Sequence, residues 1–115
     1  MLPRPVAWIP RADLYAAKDV LVIRLEIPGI GKDDLKVCLA EGSCVIRGER
    51  KPASAAPELR PLGVELAYGP FERRFVLPRD ADTAHLTARY GEGILEVRIP
   101  ILAEVAEKDV KVEVA

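Results

Sequence analysis

The sequence predicts an all-β fold: an immunoglobulin-like antiparallel β-sandwich with a long inter-strand loop and short flexible N- and C-terminal extensions. Two observations predict it. Apolar residues recur at every second position in several short segments, which is the period of a half-buried strand. Glycine and proline residues separate these segments, and no stretch carries apolar residues at helical spacing over the length of a helix.

The composition fits one small globular domain. Of the 115 residues, 50% are hydrophobic and 30% are charged, and the formal net charge is −1, a balance that argues against disorder. A nearly neutral chain without a basic cluster does not attract phosphate groups, so nucleic acid is not an expected partner. The apolar runs are far shorter than the about 20 residues that span a bilayer, and no apolar signal core is present at the N-terminus. We therefore expect no membrane partner and a cytoplasmic location.

The first clear strand lies between Asp19 and Pro28. Its side chains separate into two rows. The apolar row contains Leu21, Ile23, Leu25 and Ile27, and the mixed row contains Val20, Val22, Arg24 and Glu26. This pattern predicts a strand that buries one face and exposes the other.

Residues 35–48 predict a hairpin. Leu35, Val37 and Leu39 alternate with Lys36, Cys38 and Ala40. Glu41 and Gly42 then turn the chain into a second strand over residues 43–48.

The two cysteines, Cys38 and Cys44, flank this turn. When the strands pair about it, Leu39 faces Cys44, and Cys38 points to the opposite side of the sheet. Because the two thiols lie on opposite faces, a disulfide is not favoured. Half of a metal site is not favoured either, because the single histidine, His85, does not complete the four ligands of a closed zinc site. We interpret both thiols as structural.

Three more strands complete the alternating pattern. They are predicted over residues 71–77, 86–90 and 94–99, with a turn at residues 91–93 joining the last two. Residues 49–67 fall outside the pattern, since they carry three prolines and only a short alternating piece from Leu62 to Leu66. They predict a long loop with a possible strand of its own.

Several motifs together resemble the α-crystallin domain of the small heat-shock proteins. The motifs are residues 10–15, 25–30, 46–51, 69–78 and 88–95. In the last one, Ala88, Gly93 and Leu95 match the family's spaced alanine, glycine and leucine. We expect Ala88 to allow a close contact between layers, Gly93 to take a positive φ at the chain reversal, and Leu95 to return to the core.

The resemblance implies an ATP-independent holdase chaperone that binds unfolding proteins and prevents their aggregation. It implies assembly with copies of itself, as a homodimer and then a higher oligomer, and no catalytic residue, cofactor or metal. The expected domains are a short N-terminal arm at 1–10, an α-crystallin-like domain at 11–102, and a C-terminal extension at 103–115 with a Val-x-Val motif.

The resemblance also assigns an oligomerisation motif to Val112 and Val114, which point the same way when extended. The family commonly has isoleucine there, so each valine lacks one methylene, worth about 0.8 kcal/mol of docking when buried. The receiving groove is assigned to two edge strands. It contains Val37 and Leu39 on one side and Leu86 and Ala88 on the other. The alternative is an ordinary last strand in the chain's own sheet.

Two further interaction segments follow from the resemblance. A dimer exchange strand, formed by Leu62, Val64 and Leu66, is expected to pair with residues 12–16 of a partner; the alternative is a disordered surface loop. The client-binding candidates are Leu2, Val6, Trp8 and Ile9 in the arm. Trp8 is interpreted either as a client anchor or as a side chain packed on its own domain.

The sequence supports two other function classes less well. A CS-type co-chaperone or adaptor would bind one specific partner as a monomer, but the prolyl loop and the terminal motif favour the heat-shock family. An enzyme is not indicated. The adjacent carboxylates Asp33 and Asp34 lie beside lysines in a turn, which is typical of a solvated charge cluster, and no motif around a serine completes a triad with His85.

Overall fold

The computed structural model describes residues 7–52, 58–102 and 112–114. Within them it contains seven strands and two single-turn 3-10 helices, at Lys32–Asp34 and Thr83–His85. The strands are β1 (Ala12–Ala16), β2 (Val20–Glu26), β3 (Leu35–Ala40), β4 (Ser43–Arg50), β5 (Gly69–Val76), β6 (Thr87–Gly91) and β7 (Ile94–Pro100). All seven lie inside the expected domain at 11–102.

The strands form two antiparallel sheets, which confirms the predicted all-β sandwich. Four strands are ordered β1-β2-β7-β6, and three are ordered β3-β4-β5. Observed boundaries differ from the predicted ones by at most two residues. The strand predicted to begin at Phe71 begins at Gly69, because Gly69 and Pro70 continue the ladder opposite Arg50 and Glu49.

The core lies between the facing sides of the two sheets. The predicted apolar row of β2 supplies Ile23, Leu25 and Ile27, each fully buried. Ile23 and Leu25 pair with Val97 and Leu95 across the β2–β7 ladder, since residues opposite each other in a ladder point to the same face. The other sheet contributes Cys44, Ile46, Phe71 and Phe75. Burial of these side chains from both sheets provides the main driving force for folding.

Two tight turns set the register of the hairpins. Glu41 and Gly42 have φ of 49° and 74°, and Glu92 and Gly93 have φ of 53° and 78°. Two consecutive positive φ angles characterise the two-residue turn that matches the twist of antiparallel strands. The expected positive φ at Gly93 is confirmed, and Gly91 belongs to the end of β6.

The segment before β1 shows how the two sheets are aligned. Pro10, two residues before β1, accepts a hydrogen bond of 2.8 Å from the Arg73 guanidinium on β5. The edges β1 and β5 therefore lie on the same side of the sandwich. Given the strand orders in the two sheets, the other two edges, β3 and β6, face each other on the opposite side.

Candidate protein-interaction surfaces

The side of the sandwich between β3 and β6 is lined by the four residues assigned to the groove. Val37 and Leu39 lie opposite the buried Ile46 and Cys44, so they point toward the space between the sheets. Ala88 lies opposite the buried Val97 and points the same way. Leu86 immediately precedes β6 and packs partly against the core. The structure thus brings the four residues to one open side.

Exposure of these residues shows that this side is open in the single chain. Leu39 remains 44% exposed although it lies on an inner face, and Ala88 is also exposed. Both belong to edge strands, so no further strand of the same sheet covers them. The expected close contact of Ala88 with another layer is therefore not present, because Ala88 lies at the rim of the sandwich rather than at its centre.

The terminal valines do not contact this groove in the single chain. Val112 and Val114 are 83% and 94% exposed, and residues 112–114 form no strand with either sheet. The alternative of an ordinary last strand is thus not what the structure shows. Docking of these valines on a second copy stays a prediction.

Apolar side chains are also uncovered on β1 and in the predicted exchange strand. Leu14 in the middle of β1 points inward opposite the buried Ile23, yet it is 51% exposed. The predicted exchange strand is also uncovered: Leu62, Val64 and Leu66 are 91%, 65% and 70% exposed and form no strand within the chain. Bends occur at Leu62 and Leu66 in the single chain, and pairing of this segment with β1 of a second copy stays a prediction.

The arm residues in the described range behave differently from one another. Trp8 packs on its own domain, with its indole N–H donating to the Gly69 carbonyl at 2.9 Å and its ring edge against Phe71. Ile9 is 69% exposed. Leu2 and Val6 lie outside the described residues. A role of Trp8 in client binding stays a prediction, but its side chain already has partners in its own chain.

One partly buried cation points between the sheets. Arg73 lies opposite the buried Ile46 and therefore points between the sheets. Its guanidinium donates to the Pro10 carbonyl and lies 4.9 Å from the centre of the Phe75 ring. The alternation of β5 places position 73 on the inner face, so the strand pattern contained this signal.

The two cysteines lie as predicted. Leu39 pairs with Cys44 in the β3–β4 ladder, which places Cys38 on the outer face, and both thiols are free. Burial raises the pKa of the Cys44 thiol, and the neighbouring Cys38 raises it further. A buried, protonated thiol is a poor nucleophile and a poor metal ligand.

Asp34, one of the two carboxylates considered as catalytic candidates, belongs to a surface ion pair. Asp34 accepts from the Lys51 ammonium at 2.9 Å, and this hydrogen bond raises the pKa of Lys51. His85 contacts Asp82 at 2.7 Å. In the described ranges no group of three metal-ligating side chains lies together. These contacts fit the interpretation of a solvated charge cluster.

No helix among the described residues is long and apolar enough to cross a membrane.

The Hsp20/alpha crystallin family matches residues 13–115 of the chain. The 21.9 kDa heat shock protein of Oryza sativa is 36% identical over 107 residues, which cover 85% of this chain and 52% of that protein. The 18 kDa heat shock protein of Streptomyces albus is 31% identical over 94 residues, covering 82% of this chain and 66% of that protein. The chain thus spans between half and two thirds of the length of these relatives.

A solved structure also matches this chain in both fold and sequence. A small heat-shock protein from Xylella fastidiosa superposes with a TM-score of 0.79 at 33% identity, covering 94% of this chain and 99% of that one.

Proposed function

Because the chain belongs to the Hsp20/alpha crystallin family, we propose that it is an ATP-independent holdase that binds unfolding proteins and prevents their aggregation. The observation that carries the proposal is the pair of open sides of the sandwich. Each places partly exposed apolar side chains, Leu39 on one side and Leu14 on the other, beside an unpaired strand edge. Such edges bind extended segments by adding a strand or by receiving apolar side chains.

The first level of assembly is a homodimer made by strand exchange. Residues 62–66 of one chain pair with β1 of its partner, whose outer edge is paired with no other strand among the described residues. Leu62, Val64 and Leu66 share one face of an extended segment, and that face covers the exposed Leu14 of the partner. The exchange is reciprocal and gives a two-fold dimer.

The second level of assembly uses the C-terminal motif. Val112 and Val114 insert into the groove between β3 and β6 of a neighbouring dimer, while Glu113 stays in water. The exposure of both valines supports a role outside their own domain. Each valine buries one methylene less than isoleucine, about 0.8 kcal/mol per site, so these contacts exchange more readily than those made by isoleucine.

Clients bind to apolar surface that becomes accessible when these contacts open. The groove between β3 and β6 and the exposed Ile9 are the described surfaces that fit this role. No covalent step is involved, and neither a nucleotide nor a metal takes part. Binding draws on the transfer of apolar surface from water.

The experiment combines mass and activity. Native mass is measured by size exclusion with light scattering over a range of concentrations and temperatures, and aggregation of a heat-labile model client is followed without ATP. We expect an assembly of dimers whose mass depends on concentration, together with suppression of client aggregation at a stoichiometric ratio.

A stable monomer that does not suppress client aggregation would contradict the proposal. It would favour the adaptor interpretation, in which the domain binds one specific partner. Serum albumin at the same mass concentration is the control for nonspecific protection of the client.

A further inference from the structure

Four segments of the chain meet at the side chain of Arg50, the last residue of β4. Its Nε donates to the Ala67 carbonyl at 2.7 Å, and its Nη1 donates to the Pro28 carbonyl at 3.2 Å. The guanidinium carbon lies 4.1 Å from the centre of the Trp8 ring. One cation therefore connects the end of β4, the turn after β2, the segment before β5 and the segment before β1.

Trp8 is held from its other sides as well. The indole N–H donates to the Gly69 carbonyl at 2.9 Å, and the ring meets Phe71 edge-on at 5.3 Å between centroids. The neighbouring Ala7 amide donates to the Pro70 carbonyl at 2.9 Å. The segment before β1 is thus attached to the first three residues of β5.

Gly69 makes this close approach possible. Its φ is +110°, and a Cβ at this position would lie 2.8 Å from the Ala7 Cβ. Any side chain there would push the N-terminal segment away from β5. We define the latch as the side chains of Trp8 and Arg50 with their carbonyl acceptors at Ala67 and Gly69.

The latch lies at the root of the proposed exchange segment. Arg50 and Gly69 form the last pair of the β4–β5 ladder, so residues 51–68 leave and re-enter the domain at this point. The hydrogen bond from Arg50 to the Ala67 carbonyl joins the two ends of this loop two residues beyond the last ladder pair. Leu66, the last residue of the exchange segment, is the neighbour of Ala67 in the chain.

We propose that Arg50 is a positioning residue for dimer exchange: through Ala67 it fixes the direction in which residues 62–66 leave the domain, and through Trp8 it couples that direction to the N-terminal segment. This rests on the proposed strand exchange. With the latch closed, the segment is held for the partner's β1, and opening it frees the exchange segment and the Trp8 ring together.

Arginine is required for this geometry. Its planar guanidinium offers several donors in one plane while its face stacks on an aromatic ring. A lysine keeps the charge, but its single ammonium does not reach two carbonyls and stack at once. Arg50→Lys is therefore the informative change, and it leaves the net charge as it is.

The experiment measures the rate of subunit exchange. Unlabelled and ¹⁵N-labelled protein are mixed, and native mass spectrometry follows the appearance of mixed dimers. We expect Arg50→Lys to exchange about tenfold faster than the original chain, which corresponds to the loss of one ring contact and one hydrogen bond. We also expect Trp8, the single tryptophan, to shift its emission to longer wavelength and the Ala7 amide to exchange hydrogen faster.

Two control variants separate positioning from simple loss of stability. Arg74→Lys changes an exposed arginine on the outer face of β5 and should leave the exchange rate unchanged. Ile99→Val removes one methyl group from the fully buried core, in β7, which contributes no residue to the latch. If Ile99→Val accelerates exchange as much as Arg50→Lys at an equal loss of thermal stability, Arg50 is merely structural and the proposal is overturned.

The experiments distinguish an incorrect positioning role of the latch from an incorrect strand exchange. If deletion of residues 60–67 leaves a dimer, the strand exchange is wrong and the positioning role falls with it. If the deletion gives monomers while Arg50→Lys exchanges at the original rate, only the latch is wrong. Unchanged Trp8 emission in Arg50→Lys would overturn the latch whatever the oligomeric state.

Discussion

The ring of Phe71 lies over the backbone of Gly48. The two residues are partners in the β4–β5 ladder, and a Cβ built on Gly48 would lie 2.6 Å from Phe71 Cε1 and 2.9 Å from the Asp34 carbonyl oxygen. Phe71 is 2% exposed, so its ring is buried in the core against Gly48. The absence of a side chain at Gly48 is what allows this aromatic residue into the core.

Gly48→Ala is therefore expected to destabilise the domain by about 1–3 kcal/mol through overpacking, measured by urea unfolding. Gly91→Ala is the matched control, because nothing lies within 4 Å of a Cβ there and its φ is not positive. Equal unfolding midpoints for the two variants would mean that the Phe71 ring moves aside without cost.

Replacing Val112 and Val114 together by alanine should reduce assembly beyond the dimer and leave the unfolding temperature unchanged, because both side chains are exposed in their own domain. Each change removes about 1.6 kcal/mol of docking when the site is fully buried. The reverse change to isoleucine should stabilise the larger assembly. Light scattering gives the mass, with Glu113→Gln as the control. An unchanged mass in the alanine variant would remove the docking role from these valines.

Changing Leu62, Val64 and Leu66 to serine should convert dimers to monomers while preserving the length of the segment. The control replaces the intervening residues, Gly63 and Glu65, by serine, since these lie on the other face of an extended strand. Sedimentation velocity distinguishes the two species. A serine-substituted chain that still sediments as a dimer would refute the exchange.

The two thiols should react at different rates. Cys38 is partly buried on the outer face, whereas Cys44 is fully buried between the sheets. Iodoacetamide at pH 8 should therefore modify Cys38 in the native protein and Cys44 only after unfolding, as measured by peptide mass spectrometry. Equal labelling of both residues in the native state would contradict the assigned faces.

The raised pKa of Cys44 also sets the direction in which the free energy of unfolding changes with pH. Its thiol stays protonated in the folded state to a higher pH than in the unfolded state. The contribution of the Cys44 thiol to stability is complete below the ordinary thiol pKa of about 8.5. It is lost as the pH rises through the higher pKa that this thiol has in the folded state. Cys44→Ser should remove this alkaline component from the unfolding curve, measured from pH 7 to 10. A curve with the same pH dependence in Cys44→Ser would exclude this thiol as its source.

Alternation in the sequence predicted six of the seven strands and the faces they bury, whereas β1 was expected only from the family resemblance of residues 10–15. Ile23, Leu25 and Ile27 alternate with charged or exposed neighbours, and the structure buries all three. The Leu39–Cys44 pairing followed from the turn at residues 41–42 in the same way. Side-chain direction in a strand depends on residues next to one another in the chain, so a local pattern is sufficient.

Contacts between distant segments were decided only by the tertiary structure. Trp8 had two open interpretations, and its hydrogen bond to Gly69 joins residues 61 positions apart. Nothing in the local sequence indicates that Arg50 joins four segments or that Arg73 donates to the Pro10 carbonyl. Their roles depend on which edges the two stacked sheets bring together, and that alignment is set by packing of the whole core rather than by any local run of residues.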